Sequence, residues 1–574
     1  LNEVYQDVTL TIGGQAGQGV QSIGYMLAKA FTRGGLHVFA TSDYESRVRG
    51  GHNFYRVRSA DHPIFTSGNT TNILVALDRS SLDLHSQELS EPGVAVFDGD
   101  EIPVESPKPG YFPVPLKRLA LEAGHNPLMA NSVAAGAAAG LTGFDFTLVA
   151  RAVTDQFKSL GPAVQEANQR AARAGYDYVT QQFTGRCQCE LSAIGKSGRL
   201  LMNSNEALCL GALAAGCRFI AGYPMTPSTP ILEFMVNKGA TYGVVALQAE
   251  DEIAAINMVV GASFAGVRAM TATSGGGFCL MVEGLGLAGM IETPIVVVNG
   301  QRPGPSTGFP TRTEQGDLEF VIHAAHGEFA RVVLAPGNPE QAFLLAFHAF
   351  QQADKLQAPV IILTDSYIAD SYCSVEPCDF SSLPIHRGDM AIDAAADYQR
   401  YALTESGISP RAIPGFSEAL VLADSDEHTE AGHITEDGSI RSRMVEKRMA
   451  KKMALAEADM VTPEVYGAKD PEILLVGWGS TYGAIREAVD ELNVVGMAAG
   501  MLHLQQLWPF PSKVVASRSA KAKHTVVIEN NSTGQLARLM RGEAGISPSS
   551  QCLKYDGRPF TAGEIIENVG RMPS

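Results

Sequence analysis

The chain has 574 residues, 45% hydrophobic and 18% charged, enough for about three or four domains, each with its own interior. Its 61 acidic residues against 44 basic ones leave a net charge of −17, which argues against a nucleic-acid surface, since that needs a basic patch. No stretch of about 18 apolar residues runs free of charges or turn signals, so no membrane span is expected, and the opening segment reads as a strand rather than a leader, which makes the cytoplasm the expected compartment.

In chain order, residues 8–12 read as a strand, 13–19 as a glycine turn and 21–32 as a helix with Ile23, Leu27 and Phe31 at helical spacing. Strand-like runs recur at 37–40, 73–76 and 94–97. Their alternation with helices implies a mostly parallel sheet covered on both faces. Residues 131–143 are rich in alanine and glycine, which permits close helix packing. The block 1–185 is expected to be one domain, with 186–198 as a linker.

Residues 199–385 repeat this α/β logic, with helices at 206–215 and 230–237 and strands at 218–221, 244–247, 269–273, 295–299 and 360–364. Segment 386–465 is charged and less regular, and reads as a connecting segment. It ends in a helix over 439–457 with Val445, Met449 and Met453 on one face. Residues 466–574 resume α/β with strands at 472–477, 494–503 and 525–529. The expected fold class is a multidomain α/β chain.

The eight cysteines, at 187, 189, 209, 217, 279, 373, 378 and 552, form no Cys-x-x-Cys pair. An iron–sulfur cluster or zinc site built from this chain alone is therefore not expected, and reduced thiols are. The run 424–436 fails the calcium-loop pattern, because its sixth position is Thr429 and its twelfth Thr435, and reads as acidic surface.

Four motifs carry chemistry. Gly13-Gly14-x-x-Gly17-x-Gly19, between a strand and a helix, is a phosphate cradle in principle. It is out of register with Gly-x-Gly-x-x-Gly, so a dinucleotide site has little support. Nearby, Arg47 and Arg49 stand beside Gly50-Gly51, suited to a phosphate or carboxylate, or simply to a surface. Tyr223-Pro224-Met225-Thr226-Pro227-Ser228 follows a strand and precedes a helix. Two prolines hold the Thr226 hydroxyl in a fixed direction at a strand's C-terminal end, where small anionic ligands bind, and Ser228 can cap the helix; a plain capped turn is the alternative. The loop 301–317, nearly free of secondary structure, carries Arg302 and Arg312, and an arginine there can grip a carboxylate with both arms of its fork.

The fourth motif is Gln248-Ala249-Glu250-Asp251-Glu252, leading into a small-residue helix over 254–265. Acids at a helix start are favoured by the macrodipole alone, the role expected of Glu250 and Asp251. Glu252, flanked by alanines and preceded by an apolar strand, fits the carboxyl that a thiamine diphosphate enzyme aims at N1′ of the cofactor's aminopyrimidine, favouring the tautomer that takes the C2 proton. The diphosphate motif of such enzymes, Gly-Asp-Gly followed later by Asn, occurs nowhere in the chain, so the other half of the site is expected on a second chain.

Taken together the motifs resemble the large subunit of the 2-oxoacid:ferredoxin oxidoreductases, in which a γ domain precedes the α region. The likeness rests on the glycine turn with Arg49-Gly50-Gly51, on Tyr223-Pro224-Met225-Thr226-Pro227 and on Gln301-Arg302-Pro303-Gly304-Pro305. It continues through 407–415, 477–483 and 529–535 and spans essentially the whole chain. The resemblance implies a γ domain over 1–185, a pyrimidine-binding domain over 199–385 and a transketolase-C-terminal-like domain over 466–574. It implies thiamine diphosphate shared with a β subunit that carries Mg²⁺, the diphosphate site and a [4Fe–4S] cluster, and an assembly that is a dimer of αβ heterodimers.

On the same ground Glu252 occupies the cofactor-activating position, with Tyr223 and Pro224 beside it. Thr226 and Arg312 match positions for the 2-oxoacid carboxylates, and Arg47 and Arg49 become candidates for coenzyme A. Met225 and Phe309 depart from the usual isoleucine and leucine. The implied reaction converts a 2-oxoacid, 2-oxoglutarate rather than pyruvate, with coenzyme A to acyl-CoA and CO₂, and reduces ferredoxin. The rival readings are a non-redox thiamine diphosphate transferase subunit and a nucleotide-binding regulatory subunit built on residues 13–19.

Overall fold

A computed structural model describes residues 6–45, 51–105, 108–195, 198–380 and 383–571. The chain divides into two compact units, Leu1–Met202 with Asp370–Pro377, and Asn203–Ala369 with Cys378–Ser574.

The first unit is built on one eight-stranded sheet. Its spatial order is Tyr111–Val114, Leu89–Asp98, Thr71–Ala76, Val8–Gln15, His52–Ala60, His37–Asp43, Tyr372–Val375 and Leu200–Met202. The first four strands run parallel, as the βα alternation implies. The remaining pairings are antiparallel, so the sheet is mixed rather than mostly parallel. The difference arises from His52–Ala60, a strand not foreseen. Its buried Tyr55, Val57 and Ser59 alternate with polar residues, the period-2 pattern of a strand with two unlike faces.

Gly13 and Gly14 also differ from expectation, for they lie inside the strand Val8–Gln15 rather than in a turn. A Cβ on Gly13 would stand 2.9 Å from Ser81 Cβ, so this glycine admits a packed helix rather than a phosphate. Space beside Gly19 is filled as well, since a Cβ there would overlap Asn131 Nδ2. The small-residue run does pack closely. Gly136 faces the Ala172 carbonyl and Gly175 the Val133 carbonyl, so helices Ala130–Leu141 and Pro162–Gln182 touch backbone to backbone.

The second unit holds two sheets. One orders Gln506–Trp508, Val332–Leu334, Val360–Asp365, Val296–Gln301, Ala269–Thr273, Phe219–Gly222 and Val245–Gln248, all parallel except the first pair. The other orders Glu464–Gly467, Ala499–Leu504, Ile473–Trp478, His524–Glu529 and Ser550–Leu553, again with only the first pair antiparallel. One apolar cluster runs from Ile256, Val297 and Leu363 through Val476, Leu502 and Met540, joining the sheets in a single core.

Two expectations fail here. Residues 494–503 are not one strand: the helix Tyr482–Val494 ends, Gly496 turns at φ 87°, and only Ala499–Leu504 is extended. Val494 and Val495, which suggested the strand, are 87% and 77% exposed. The 438–458 region is helical, as Gly438–Glu446, a π-helical turn Lys447–Lys451 and Lys452–Ala458, yet its buried side is not the Val445–Met449–Met453 stripe. Met444, Lys447, Arg448, Lys452 and Ala456 face inward instead, because Glu292 waits inside. Lys447 Nζ bonds one carboxyl oxygen of Glu292, and Lys452 Nζ lies 2.8 Å from the other.

Among the described residues no helix is long and apolar enough to cross a membrane. All eight cysteines are free thiols.

Candidate active site

The parallel strands of the seven-stranded sheet end in the loops that carry the motifs, the edge at which open α/β sheets bind ligands. Strand Phe219–Gly222 runs into Tyr223 and Pro224, both exposed, then Met225 and Thr226, both half-buried. Ser228 does not cap the following helix, Thr229–Phe234. Its backbone is already helical, which turns the hydroxyl away from the free amides. The hydroxyl instead donates to the Thr273 carbonyl at 2.5 Å, and Asn205 Nδ2 donates to the Pro227 carbonyl at 3.0 Å. Arg302 Nη1 donates to the Thr226 carbonyl at 2.9 Å, bringing the 301–317 loop onto this one.

The helix Glu252–Phe264 starts on Asp251, whose extended backbone lets its carboxylate accept the Ala254 amide at 2.7 Å. Asp251 thus serves as the cap acid, and Glu250 is exposed. Glu252, one position on, points inward and is 3% exposed. Its Oε1 has no hydrogen-bond partner. The carboxyl lies against Gly277 in the next helix, Gly275–Met290, where a Cβ would fall 2.5 Å from Oε1 and would overlap Thr273 Oγ1. Thr273 Oγ1 in turn lies 3.9 Å from Met225 Sδ.

Glu252, Gly277, Thr273 and Met225 therefore meet at one place. Ser274 Oγ and Asn299 Oδ1 lie on the same sheet edge, where Thr273 pairs with Asn299, and both are buried without partners. A buried polar atom left unpaired costs about 1–3 kcal/mol, and a ring nitrogen placed against the Glu252 carboxyl relieves that cost. This orphaned oxygen, in a space that only glycine leaves open, fits an aminopyrimidine.

Three family models match the chain: "Pyruvate ferredoxin/flavodoxin oxidoreductase" over residues 9–178, "Pyruvate flavodoxin/ferredoxin oxidoreductase, thiamine diP-bdg" over 210–447, and "Pyruvate:ferredoxin oxidoreductase core domain II" over 471–565. A 2-oxoacid:ferredoxin oxidoreductase subunit alpha from Sulfolobus sp is 32% identical, covering 97% of this chain and 95% of that protein. The chain belongs to this family, as an alpha subunit.

The 2-oxoglutarate oxidoreductase subunit KorA of Mycobacterium tuberculosis is 29% identical across 98% of the chain and 90% of its own length. Among solved structures, the 2-oxoglutarate:ferredoxin oxidoreductase from Magnetococcus marinus with 2-oxoglutarate, coenzyme A and succinyl-CoA bound superposes with a TM-score of 0.92. It is 32% identical and covers 99% of each chain. The subunit is therefore part of an oxidoreductase, with a pyruvate ferredoxin/flavodoxin oxidoreductase domain, a thiamine diphosphate-binding domain and a core domain II.

In this alpha subunit the 301–317 loop is not a solvated surface loop throughout. Residues 304–309 are exposed, but Gln315 is fully buried and bonded on every side. Its amide donates to the Asn530 carbonyl at 2.7 Å and its Nε2 to the Trp478 carbonyl at 2.8 Å. Its Oε1 accepts the Asn530 amide at 3.0 Å, and its carbonyl accepts Asn531 Nδ2 at 3.1 Å. Arg312 lies just before this anchor, half-buried, beside Gly557, where a Cβ would stand 3.0 Å from Arg312 Cβ.

Behind the anchor, buried Glu529 accepts Trp478 Nε1, Asn531 Nδ2 and the Leu536 amide. Burial raises the pKa of Glu529, and those donors oppose the rise. At the other end, Asp317 accepts Asn299 Nδ2 at 3.0 Å while burial raises its pKa. The role of Gln315 was not foreseen, because its partners Trp478, Asn530 and Asn531 stand 163 to 216 residues away, and that of Glu529 was not read from its own short-range partners; the local signal was the amide-rich run Asn530-Asn531.

Gln315→Ala is expected to cost about 2–3 kcal/mol of stability, since it leaves the buried Asn530 amide unpaired, takes one donor from the Trp478 carbonyl and empties a buried space. Urea unfolding of the subunit checks this, and an unchanged midpoint contradicts it. Arg47 and Arg49 fall outside the described residues. Among the described residues no group of three or more His, Cys, Asp or Glu side chains is placed to hold a metal ion.

Proposed function

We propose that this subunit supplies the activating acid and the substrate-carboxylate contacts of a 2-oxoglutarate:ferredoxin oxidoreductase. The reaction takes 2-oxoglutarate and coenzyme A to succinyl-CoA and CO₂, and passes two electrons to ferredoxin. The observation that carries the reading is the buried, unpartnered Glu252 Oε1 against Gly277. Thiamine diphosphate, when bound, supplies the nucleophilic carbon that attacks the 2-oxo group. Glu252 holds a proton at N1′, with Tyr223 and Pro224 beside the ring. A β subunit brings the diphosphate site, Mg²⁺ and the [4Fe–4S] cluster, in a dimer of αβ heterodimers.

Thr226 directs its hydroxyl at the carboxylate or carbonyl common to all 2-oxoacids, on a loop whose carbonyl Arg302 fixes. Arg312 meets the distal carboxylate that distinguishes 2-oxoglutarate from pyruvate. A desolvated carboxylate without a cation costs several kcal/mol, which a guanidinium offsets. The 2-oxoglutarate-bound relative and the KorA name support this choice of acid. The coenzyme A in that relative supports coenzyme A as the acyl acceptor, with Arg47 and Arg49 as its proposed contacts.

Arg312→Ala is expected to lower kcat/KM for 2-oxoglutarate by about 2–3 kcal/mol, roughly 30- to 150-fold, while pyruvate and 2-oxobutyrate change little. Thr226→Val is expected to impair all three acids. Steady-state kinetics of the αβ complex separate the two, and equal losses across the acids for Arg312→Ala would place Arg312 on the shared carboxylate instead.

A further inference from the structure

In the first unit, a chain of hydrogen bonds ends on a half-exposed histidine that the reading above does not use. His52 Nε2 and His85 Nε2 are 2.7 Å apart, and His85 Nδ1 is 3.0 Å from Glu88 Oε1. Arg56 Nη2 donates to the other Glu88 oxygen at 2.5 Å. His85 is 1% exposed and closes the helix Arg79–His85, which Gly13 lets approach the sheet, since a Cβ there would stand 3.2 Å from His85 Cδ2.

The protons on this chain can be assigned. Burial would raise the pKa of Glu88, but the His85 hydrogen bond and Arg56 hold it below the usual carboxylate range, so Glu88 is an acceptor. His85 must then carry its proton on Nδ1, which leaves its Nε2 as an acceptor. The proton between the rings therefore sits on His52 Nε2, and His52 Nδ1 keeps its lone pair. Its neighbour, Ser81 Oγ, stands 3.5 Å away and gives its own proton to Asp78 Oδ1 at 2.7 Å.

His52 pairs with Gln15 at the C-terminal end of strand Val8–Gln15, a ligand-binding edge in open α/β sheets. The charged and titratable groups that face it are His85, Asp78, Glu45 and Glu88, with Arg56 behind. Burial and His85 lower its pKa more than the acids raise it, so the ring is neutral near pH 7.

We propose that His52 is a general base, positioned by His85 and Glu88, and that the acid it serves is the thiol of coenzyme A. The proposal rests on the coenzyme A reading above. Among the reactants, the thiol is the one that must lose a proton from a heteroatom near neutral pH. With a pKa of about 8.5 it is only a few per cent ionised at pH 7. The S–H proton passes to His52 Nδ1, the pair of the S–H bond stays on sulfur as thiolate, and nothing is oxidised. The imidazolium is stabilised through His85 towards the Glu88 carboxylate, as in an acid–histidine–base chain lengthened by one ring. The half-exposed ring then returns the proton to solvent.

The test is kcat/KM for coenzyme A in the αβ complex, from pH 6.5 to 9. His52→Gln is expected to lose about 100-fold at pH 7. That loss shrinks about tenfold per pH unit as solvent alone ionises the thiol. His85→Gln and Glu88→Gln show the same pH-dependent pattern with smaller losses. A wild-type rate in His52→Gln at pH 7, or a loss of the same size at every pH, overturns the relay. A wild-type complex that turns over without coenzyme A removes the coenzyme A reading first and the relay with it.

Discussion

Glu252→Gln is expected to lower turnover roughly 1,000-fold while leaving fold and assembly intact. The amide matches the carboxyl in size, so the contact with Gly277 and Thr273 survives. It cannot hold a proton at N1′ in the way an acid does. No neighbour is placed to replace it, for Asp251 is committed to the Ala254 amide and Glu250 is exposed. Ferredoxin reduction by the variant complex measures the loss, with circular dichroism and size-exclusion chromatography as the control for folding. Wild-type rates in this variant would remove Glu252 from the mechanism.

The second large effect is on stability. Glu292→Gln is expected to destabilise the subunit by about 3–5 kcal/mol at pH 7, because two fully buried ammoniums lose the carboxylate they share. Burial alone would raise the pKa of Glu292, but Lys452, Lys447 and Arg400 hold it well below the usual carboxylate range. Burial lowers Lys447 to about 7 even with Glu292 opposing.

Removing Glu292 leaves lysines that bind protons more weakly folded than unfolded. The variant therefore gains stability as pH rises above 7 towards the ordinary lysine value, and the penalty shrinks. Urea unfolding at pH 7 and pH 9 reads both the size and the sign, and a penalty that grows with pH contradicts the assignment. Glu292 follows the helix Gly275–Met290, whose other end carries Gly277 against Glu252, so this cluster also holds one wall of the site.

The same cluster shows where sequence reading stops. Lysine at helical spacing ordinarily marks a solvated face, and the acid that draws Lys447 and Lys452 inside lies 155 residues from Lys447. Apolar Val445, Met449 and Met453 were the natural choice for the buried stripe, and they were displaced by an ion pair that no local pattern announces. The strand His52–Ala60 was missed although its alternation is local, and what no local pattern gives is its antiparallel pairing on both sides, which topology sets. Tyr372–Val375, far along the chain, likewise joins the first unit's sheet.

What was legible was local. Alternating apolar runs located the parallel strands, because fully buried strands need continuous apolar residues. Glu252 stood out because an acid between small residues at a helix start has few uses, and the structure buries it without a partner. Gly277 and Thr273, which shape its surroundings, gain meaning only when two helices are packed together. Arg302 and Arg312 share one loop, and the bond from Arg302 to the Thr226 carbonyl, which ties that loop to 223–228, becomes visible only in the fold.

The most direct test of the account is ferredoxin reduction by the native αβ complex, with coenzyme A and with 2-oxoglutarate, pyruvate or 2-oxobutyrate in turn. The account predicts coenzyme A-dependent reduction, with kcat/KM for 2-oxoglutarate exceeding that for pyruvate by at least about tenfold, the scale of one charge-assisted contact. Pyruvate turning over as well as 2-oxoglutarate, or no ferredoxin reduction with any of the three, would contradict it.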